Sequence, residues 1–253
     1  MIDIHSHILP GLDDGARTLE DSLSMLAMAA GHGTTDIVAT PHANSEFRFD
    51  PAAIRDKLEQ LRVAVNGKIR IHNGCDFHLM YDNIQDALEN PQKYTINHKQ
   101  YLLIEFSDLI IFQNSGDIMA RLRERGMLPI VTHPERNPLL QQRMDRLETW
   151  VREGSYLQIT AHSLLGLFGR RANQFAEALI ERGLAHFVAS DAHDVERRTP
   201  CMDQAFDYLE RKYGRPLAEQ LCIVNPRAVI EGEPVPSGME MPRRARRWYR
   251  FWS

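Results

Sequence analysis

The chain has 253 residues, 43% of them hydrophobic, and a formal net charge of -4. That length buries a full core without a disulfide or structural-metal staple, as one barrel-sized domain or as two small ones, and the charge gives no general reason to expect a nucleic-acid partner. The three cysteines, Cys75, Cys201 and Cys222, are odd in number and scattered, which argues against a disulfide framework or a thiolate zinc site.

The amino terminus reads MIDIHSHILPG, with no basic leader before an apolar run, and no later window is long and apolar enough to span a bilayer. A cytoplasmic address is the expectation. Residues 2–4 form the first strand candidate. Thr18 and Asp21 then make a T-x-x-D cap, Leu19, Leu23 and Leu26 share one face, and Gly31 or Gly33 stops the helix. A strand follows over 36–40. The next helix begins at Asp50 and Pro51, carries Ile54, Leu58, Leu61 and Val65 on one stripe, and ends at Asn66 and Gly67.

Further strand candidates are 69–75, 101–106, 129–132, 156–160 and 186–190, with helices ending near Gly126, Gly154, Gly183 and Gly214. Seven apolar runs alternating with helical stretches predict an α/β fold, a single-domain parallel barrel over residues 1–230. A tail, 231–253, completes the chain. Its segment RRARRWYRFWS, beginning at Arg243, packs arginines between aromatics and reads either as disordered or, over 243–252, as a contact for a membrane surface or an acidic partner.

Most strand candidates end in potential metal ligands, and parallel barrel strands bring such ends together on one rim. His5 and His7 flank one residue in an extended segment, so both rings face one side. Asp191 and His193 repeat that spacing at another strand end. His42 follows Thr40 and Pro41, and His133 follows Thr132. Glu105 lies within LLIEF, where an uncompensated carboxylate among apolar neighbours is costly. Asp76 closes RIHNGCD, and is either a ligand or a turn cap. Asp13 and Asp14, in a glycine-flanked loop, either reach an ion or shape the turn, and Asp14 is taken as the candidate ligand. His32, His72, His78, His98, His162 and His186 show no comparable spacing and read as surface or core residues. Arg136 and Arg198 lie just past two ligand candidates, and a planar guanidinium suits phosphate. Imidazoles and carboxylates together suit manganese, iron or zinc.

These strand ends resemble the polymerase and histidinol phosphatase family, metal-dependent phosphoesterases with a distorted seven-stranded βα barrel. DIHSHILPGLDDGA, ATPH, LIEF, HPERN and HFVASDAH narrow the match to that family's bacterial protein tyrosine phosphatases of capsule and exopolysaccharide synthesis, in order from Met1 to about Ile230. The resemblance implies a cluster of up to three divalent ions, usually manganese, with His5, His7, His42, Glu105, His133, Asp191 and His193 on ligand positions. It implies as partner a tyrosine-phosphorylated bacterial tyrosine kinase that controls polysaccharide synthesis. Asp76 stands where relatives usually carry a bridging glutamate, one methylene longer.

The implied chemistry is phosphate-ester hydrolysis by metal-activated water, without a protein nucleophile. Consistent with that, the Cys-x5-Arg spacing of thiol phosphatases is absent, Cys222 to Arg227 being one residue short. The rival readings are a small-molecule phosphatase of the histidinol-phosphate type, a metal-dependent amidohydrolase, for which the arginines have no task, and a non-catalytic kinase-docking regulator, for which the ligand set has none.

Overall fold

The computed structural model describes residues 1–236, so the basic aromatic segment 243–252 lies outside the described residues. In chain order the elements are β1 (Ile2–Ser6), α1 (Leu19–Gly31), β2 (Asp36–Ala39), β3 (His42–Ala43), α2 (Pro51–Val65), β4 (Arg70–Asn73), β5 (Asp76–His78), α3 (Tyr81–Glu89), β6 (Tyr101–Glu105) and α4 (Ser115–Glu124). They continue with β7 (Leu128–Thr132), α5 (Met144–Arg152), β8 (Tyr156–Thr160), α6 (Ala161–Leu164), α7 (Arg170–Glu181), β9 (Phe187–Ala189), α8 (Asp203–Tyr213), α9 (Arg215–Glu219) and α10 (Asn225–Glu231).

Capping chemistry sets the first two helices. Thr18 and Asp21 form a reciprocal capping box at α1. Asp50 caps α2 through the amides of Ala52 and Ala53, Pro51 occupies its first turn, and Asn66 ends it in a left-handed conformation. Ile54, Leu58, Leu61 and Val65 are all buried, as their spacing requires.

All strand pairs are parallel. One sheet has the order β1-β2-β4 and the other β3-β5-β6-β7-β8-β9. Two of the seven expected strands, 36–40 and 69–75, are each followed by a short further strand in the other sheet. The run after 36 breaks at Thr40 and Pro41, where proline offers no N–H, and resumes as β3 in the second sheet. The run after 69 breaks at Gly74, where an added Cβ would lie 2.8 Å from Val38 Cγ1, and resumes as β5. His42 and Asp76 are therefore register partners at the start of resumed strands rather than residues beyond strand ends. A parallel bridge joins Ser6 to Ala192 just after β9.

Strands of both sheets turn alternate side chains into one shared cluster. Val38 of β2, Tyr101 and Leu103 of β6, Ile130 of β7 and Phe187 of β9 meet Ile2 and Ile4 there, while Ile37, Leu102 and Ile104 face the surrounding helices. Val229 and Ile230 of α10 join the shared cluster. The chain beyond α10 also stays on the body, since the Tyr101 hydroxyl donates to the Glu233 carbonyl and Val235 N donates to Tyr101 Oη.

Candidate metal centre

The ends of β1 and β6, the starts of β3 and β5, and the loops after β1, β7 and β9 carry the predicted residues into one cluster. His5 and His7 bring their Nε2 atoms to 3.3 Å of each other, so the His-x-His spacing does place both rings on one side. Each ring is oriented from behind, since His5 Nδ1 lies 2.9 Å from Gln158 Oε1 and His7 Nδ1 lies 2.7 Å from Asp13 Oδ2. That arrangement leaves both Nε2 atoms for the cluster. His193 is held the same way, through Nδ1 at 3.0 Å from the Asp191 carbonyl.

Asp76 Oδ2 sits between two of these rings, 3.5 Å from His5 Nε2 and 3.2 Å from His42 Nδ1. Asp191 Oδ1 approaches His5 Nε2 at 3.5 Å and His7 Nε2 at 3.4 Å. Asp14 Oδ1 lies 3.3 Å from both His42 Nε2 and His193 Nε2. Glu105 faces His42 at 3.5 Å and His133 at 3.7 Å. Three overlapping groups with donor atoms close enough for one cation each result: His7, Asp14, His42 and His193; His5, His7 and Asp76; and His42, Asp76 and Glu105.

Every predicted ligand is thus in or against one cluster, and the loop aspartates divide their tasks. Asp13 orients His7 and accepts from the Gly15 and His42 amides, while Asp14 faces the cluster. The burial argument made for Glu105 belongs elsewhere. Its side chain is 22% exposed, whereas Asp76 and Asp191 are 0% and 2% exposed. Arg136 and Arg198 both donate to Asp191 Oδ2, the latter at 2.5 Å, and so reach the centre from the rim. His78 was not legible as a partner, yet its Nδ1 lies 3.5 Å from Glu105 Oε2. It belongs to β5, a strand too short to show a period. Gln158 and Asp13 were likewise missed as orienting groups, though the alternation of β8 could have pointed to Gln158. Among the remaining histidines, His32 pairs with Asp203 and His72 with Asp36, both away from the cluster.

The electrostatics follow from the crowding. Burial opposes the charged form of His5 and His42, but Asp191 and Asp76 raise His5 to about 9, and Asp14 and Asp76 raise His42 to about 11. Burial, helped by the neighbouring His7, lowers His193 to about 4, and burial with Arg136 holds His133 well below its usual range. Asp76 and Asp191 stay ionised far below the ordinary range despite burial, because His5 and other cationic neighbours face them. The donors fit divalent cations. Both Asp76 carboxylate oxygens, His42 Nδ1 and His193 Nε2 are buried without a hydrogen-bond partner, and buried polar atoms of this kind are costly unless something satisfies them. Two of the predicted ligand positions also store backbone strain: His133 and Asp191 have φ of 32° and 52°.

The sequence matches the family described as capsular polysaccharide synthesis, CpsB/CapC, over residues 1–231. The chain belongs to this CpsB/CapC family. It is similar to the tyrosine-protein phosphatase YwqE of Bacillus subtilis, 36% identical over 87% of this chain and 88% of that one. It also resembles the tyrosine-protein phosphatase CpsB of Streptococcus pneumoniae, 32% identical over 91% of this chain and 98% of its relative. Among solved structures, a chain from the work on YwqE of Bacillus subtilis and CpsB of Streptococcus pneumoniae, metal-dependent tyrosine phosphatases, superposes with a TM-score of 0.87 at 33% identity, covering 93% of this chain and 96% of that chain. A β-aspartyl dipeptidase from Fervidobacterium islandicum shares the fold alone, with a TM-score of 0.57 at 14% identity. The cluster agrees in kind with what is said of those solved relatives, since it is built of metal-binding donors.

Proposed function

We propose that this chain is a metal-dependent tyrosine phosphatase that removes phosphate from a bacterial tyrosine kinase regulating capsular or exopolysaccharide synthesis. The observation that carries the reading is the convergence of Asp14, Asp76, Glu105 and Asp191 with His5, His7, His42, His133 and His193, flanked by two arginines. Those nine residues would hold up to three divalent cations. Manganese is the metal we propose, with iron and zinc as the alternatives the same donors accept. When bound, the cations activate water for attack on phosphorus and neutralise charge on the phosphoryl oxygens.

The chain's own groups do the rest. Asp191 Oδ2 holds Arg136 and Arg198 at the mouth, both partly exposed, and a planar guanidinium there suits a phosphoryl oxygen. A thiol mechanism lacks its nucleophile. All three cysteines are buried, and burial pushes Cys75 well above the ordinary thiol range and Cys222 up to about 12. A phenol leaves with a pKa of about 10, so departure from phosphotyrosine needs little acid help.

Three further elements belong to the proposal. The two sheets are sections of one distorted seven-stranded barrel, a reading supported by the shared interior cluster and by the Ser6 to Ala192 bridge. The chain divides into a catalytic unit over 1–230 and a tail over 231–253, whose segment 243–252 would contact the membrane surface near the kinase. Its address is the cytoplasm, and among the described residues no helix is long and apolar enough to cross a membrane.

The test compares hydrolysis of a tyrosine-phosphorylated peptide and of histidinol phosphate at equal manganese, together with metal content, for wild type and His133→Ala. Preference for the peptide, with activity and metal both reduced in the variant, is expected. Preference for histidinol phosphate overturns the substrate, and metal-supplied protein inert on any aryl phosphate overturns the enzyme.

A further inference from the structure

Beside the candidate metal centre lies an apolar cavity of about 360 Å³ between the loops that follow β3, β5 and β6. His78, Met80, Tyr81, Ile110, Ile111 and Phe112 line it. Tyr81, Ile110 and Phe112 are 76%, 57% and 49% exposed, and Leu109 beside them is 90% exposed. Among the described residues, most of the strongly exposed large hydrophobic side chains are gathered here. Scattered singly they would be unremarkable, but grouped around a concave opening they mark a place where apolar surface is covered by a ligand.

His78 fixes the relation of the cavity to the chemistry. Its ring lines the cavity and lies 3.5 Å from Glu105, and Phe106, the residue after Glu105, forms another wall. His78 thus borders the cavity and also faces Glu105 of the cluster, so a substrate held at the cluster lies beside the cavity. An extended peptide advances roughly 3.3 Å per residue, so a side chain next to or shortly beyond a phosphotyrosine reaches it.

Resting on the tyrosine phosphatase reading, we propose that this cavity is a subsite for an apolar side chain flanking the phosphotyrosine in the substrate peptide. The cavity makes the enzyme discriminate among phosphotyrosyl sequences by their apolar neighbours. Polar contacts supply little of that selectivity, since His78 and two serines, Ser45 and Ser107, are the polar residues among those lining it.

The test uses the metal-loaded full chain and two peptides in which phosphotyrosine is replaced by its non-hydrolysable difluoromethylphosphonate analogue. One peptide carries leucine or isoleucine at the flanking positions and the other glycine. Equilibrium Kd values are measured for wild type, Ile110→Ser, Phe112→Ser and the distant control Val63→Ser on α2. Wild type should bind the apolar peptide about tenfold more tightly, the scale of burying one aliphatic side chain. Both cavity variants should erase most of that ratio, and the control should keep it. Equal ratios in all four proteins overturn the subsite. So does a concentration-dependent dimer that the cavity variants abolish while peptide affinities stay unchanged, because a second copy would then be the occupant. Hydrolysis of the matching phosphotyrosyl peptides by wild type is measured alongside. Its failure sinks the parent reading and the subsite together, whereas turnover with unchanged Kd ratios sinks the subsite alone.

Discussion

His186 enters β9 with its Nδ1 accepting from the Leu157 amide and its ring edge-on to Tyr156. Burial lowers its pKa to about 4, against 6.5 for the free side chain. The unfolded chain therefore takes up this proton at a higher pH than the folded one. The stability that the neutral ring contributes is complete above pH 6.5 and is lost as pH falls from 6.5 toward 4. His186→Asn should cost stability at pH 7, and the gap between variant and wild type should shrink by roughly 2–3 kcal/mol at pH 4.5. Urea unfolding at the two pH values measures this, and a gap independent of pH would refute the burial account. The same scale explains what the sequence showed of the site. His5 and His7 were legible because two residues apart in an extended segment is a geometric statement, and Asp191 and His193 because they repeat that spacing, although the backbone at Asp191 is left-handed. His78 and Gln158 were not, because their roles depend on which strand lies next to which.

At the scale of elements, the loop after β1 is where one small residue holds several ligands in place. A Cβ added to Gly15 would meet the His7 carbonyl oxygen at 2.1 Å and His7 Cβ at 2.5 Å, and both belong to chain that has no room to move. The loop is closed by Ala16 N donating to the His7 carbonyl at 3.0 Å and Gly11 N donating to the Ala16 carbonyl at 2.8 Å. Gly15→Ala should therefore displace His7, Asp13 and Asp14 together. Metal content should fall by about one equivalent, and activity by about 10²-fold, the loss that ångström-scale misplacement brings. Full metal content with full activity would contradict this coupling. Helices α1 and α2 were readable because their signals are local: a cap, an apolar stripe and a stop residue each sit within a few positions of the other. The strands β3 and β5 were not, since they exist only because the chain passes from one sheet to the other at Pro41 and Gly74, and that crossing is decided by packing between strands distant in sequence.

For the whole molecule, the cluster joins elements that are otherwise connected mainly by packing. It gathers side chains from the ends of β1, β6 and β7, the starts of β3 and β5, and the segment after β9. Cations that bind the folded chain and not the unfolded one stabilise it by mass action. At a free metal concentration of about 100 times Kd the gain is about 2.7 kcal/mol, which for a domain of this size is a shift of roughly 5–10 °C in Tm. Chelation should lower Tm by that amount, and added manganese should restore it; a Tm indifferent to both would mean that the cluster holds no cation. The parallel architecture itself was legible from alternating runs, and its division into two sheets was not.

The left-handed backbone at His133 and Asp191 bears on how such a centre is dissected. Alanine there removes a donor and also places an ordinary side chain on a conformation it disfavours, so two losses arrive as one. Asparagine tolerates that conformation and is close in size to aspartate. At Asp191 it separates the two contributions, because the carboxylate's charge disappears while the bend that aims the neighbouring His193 is kept.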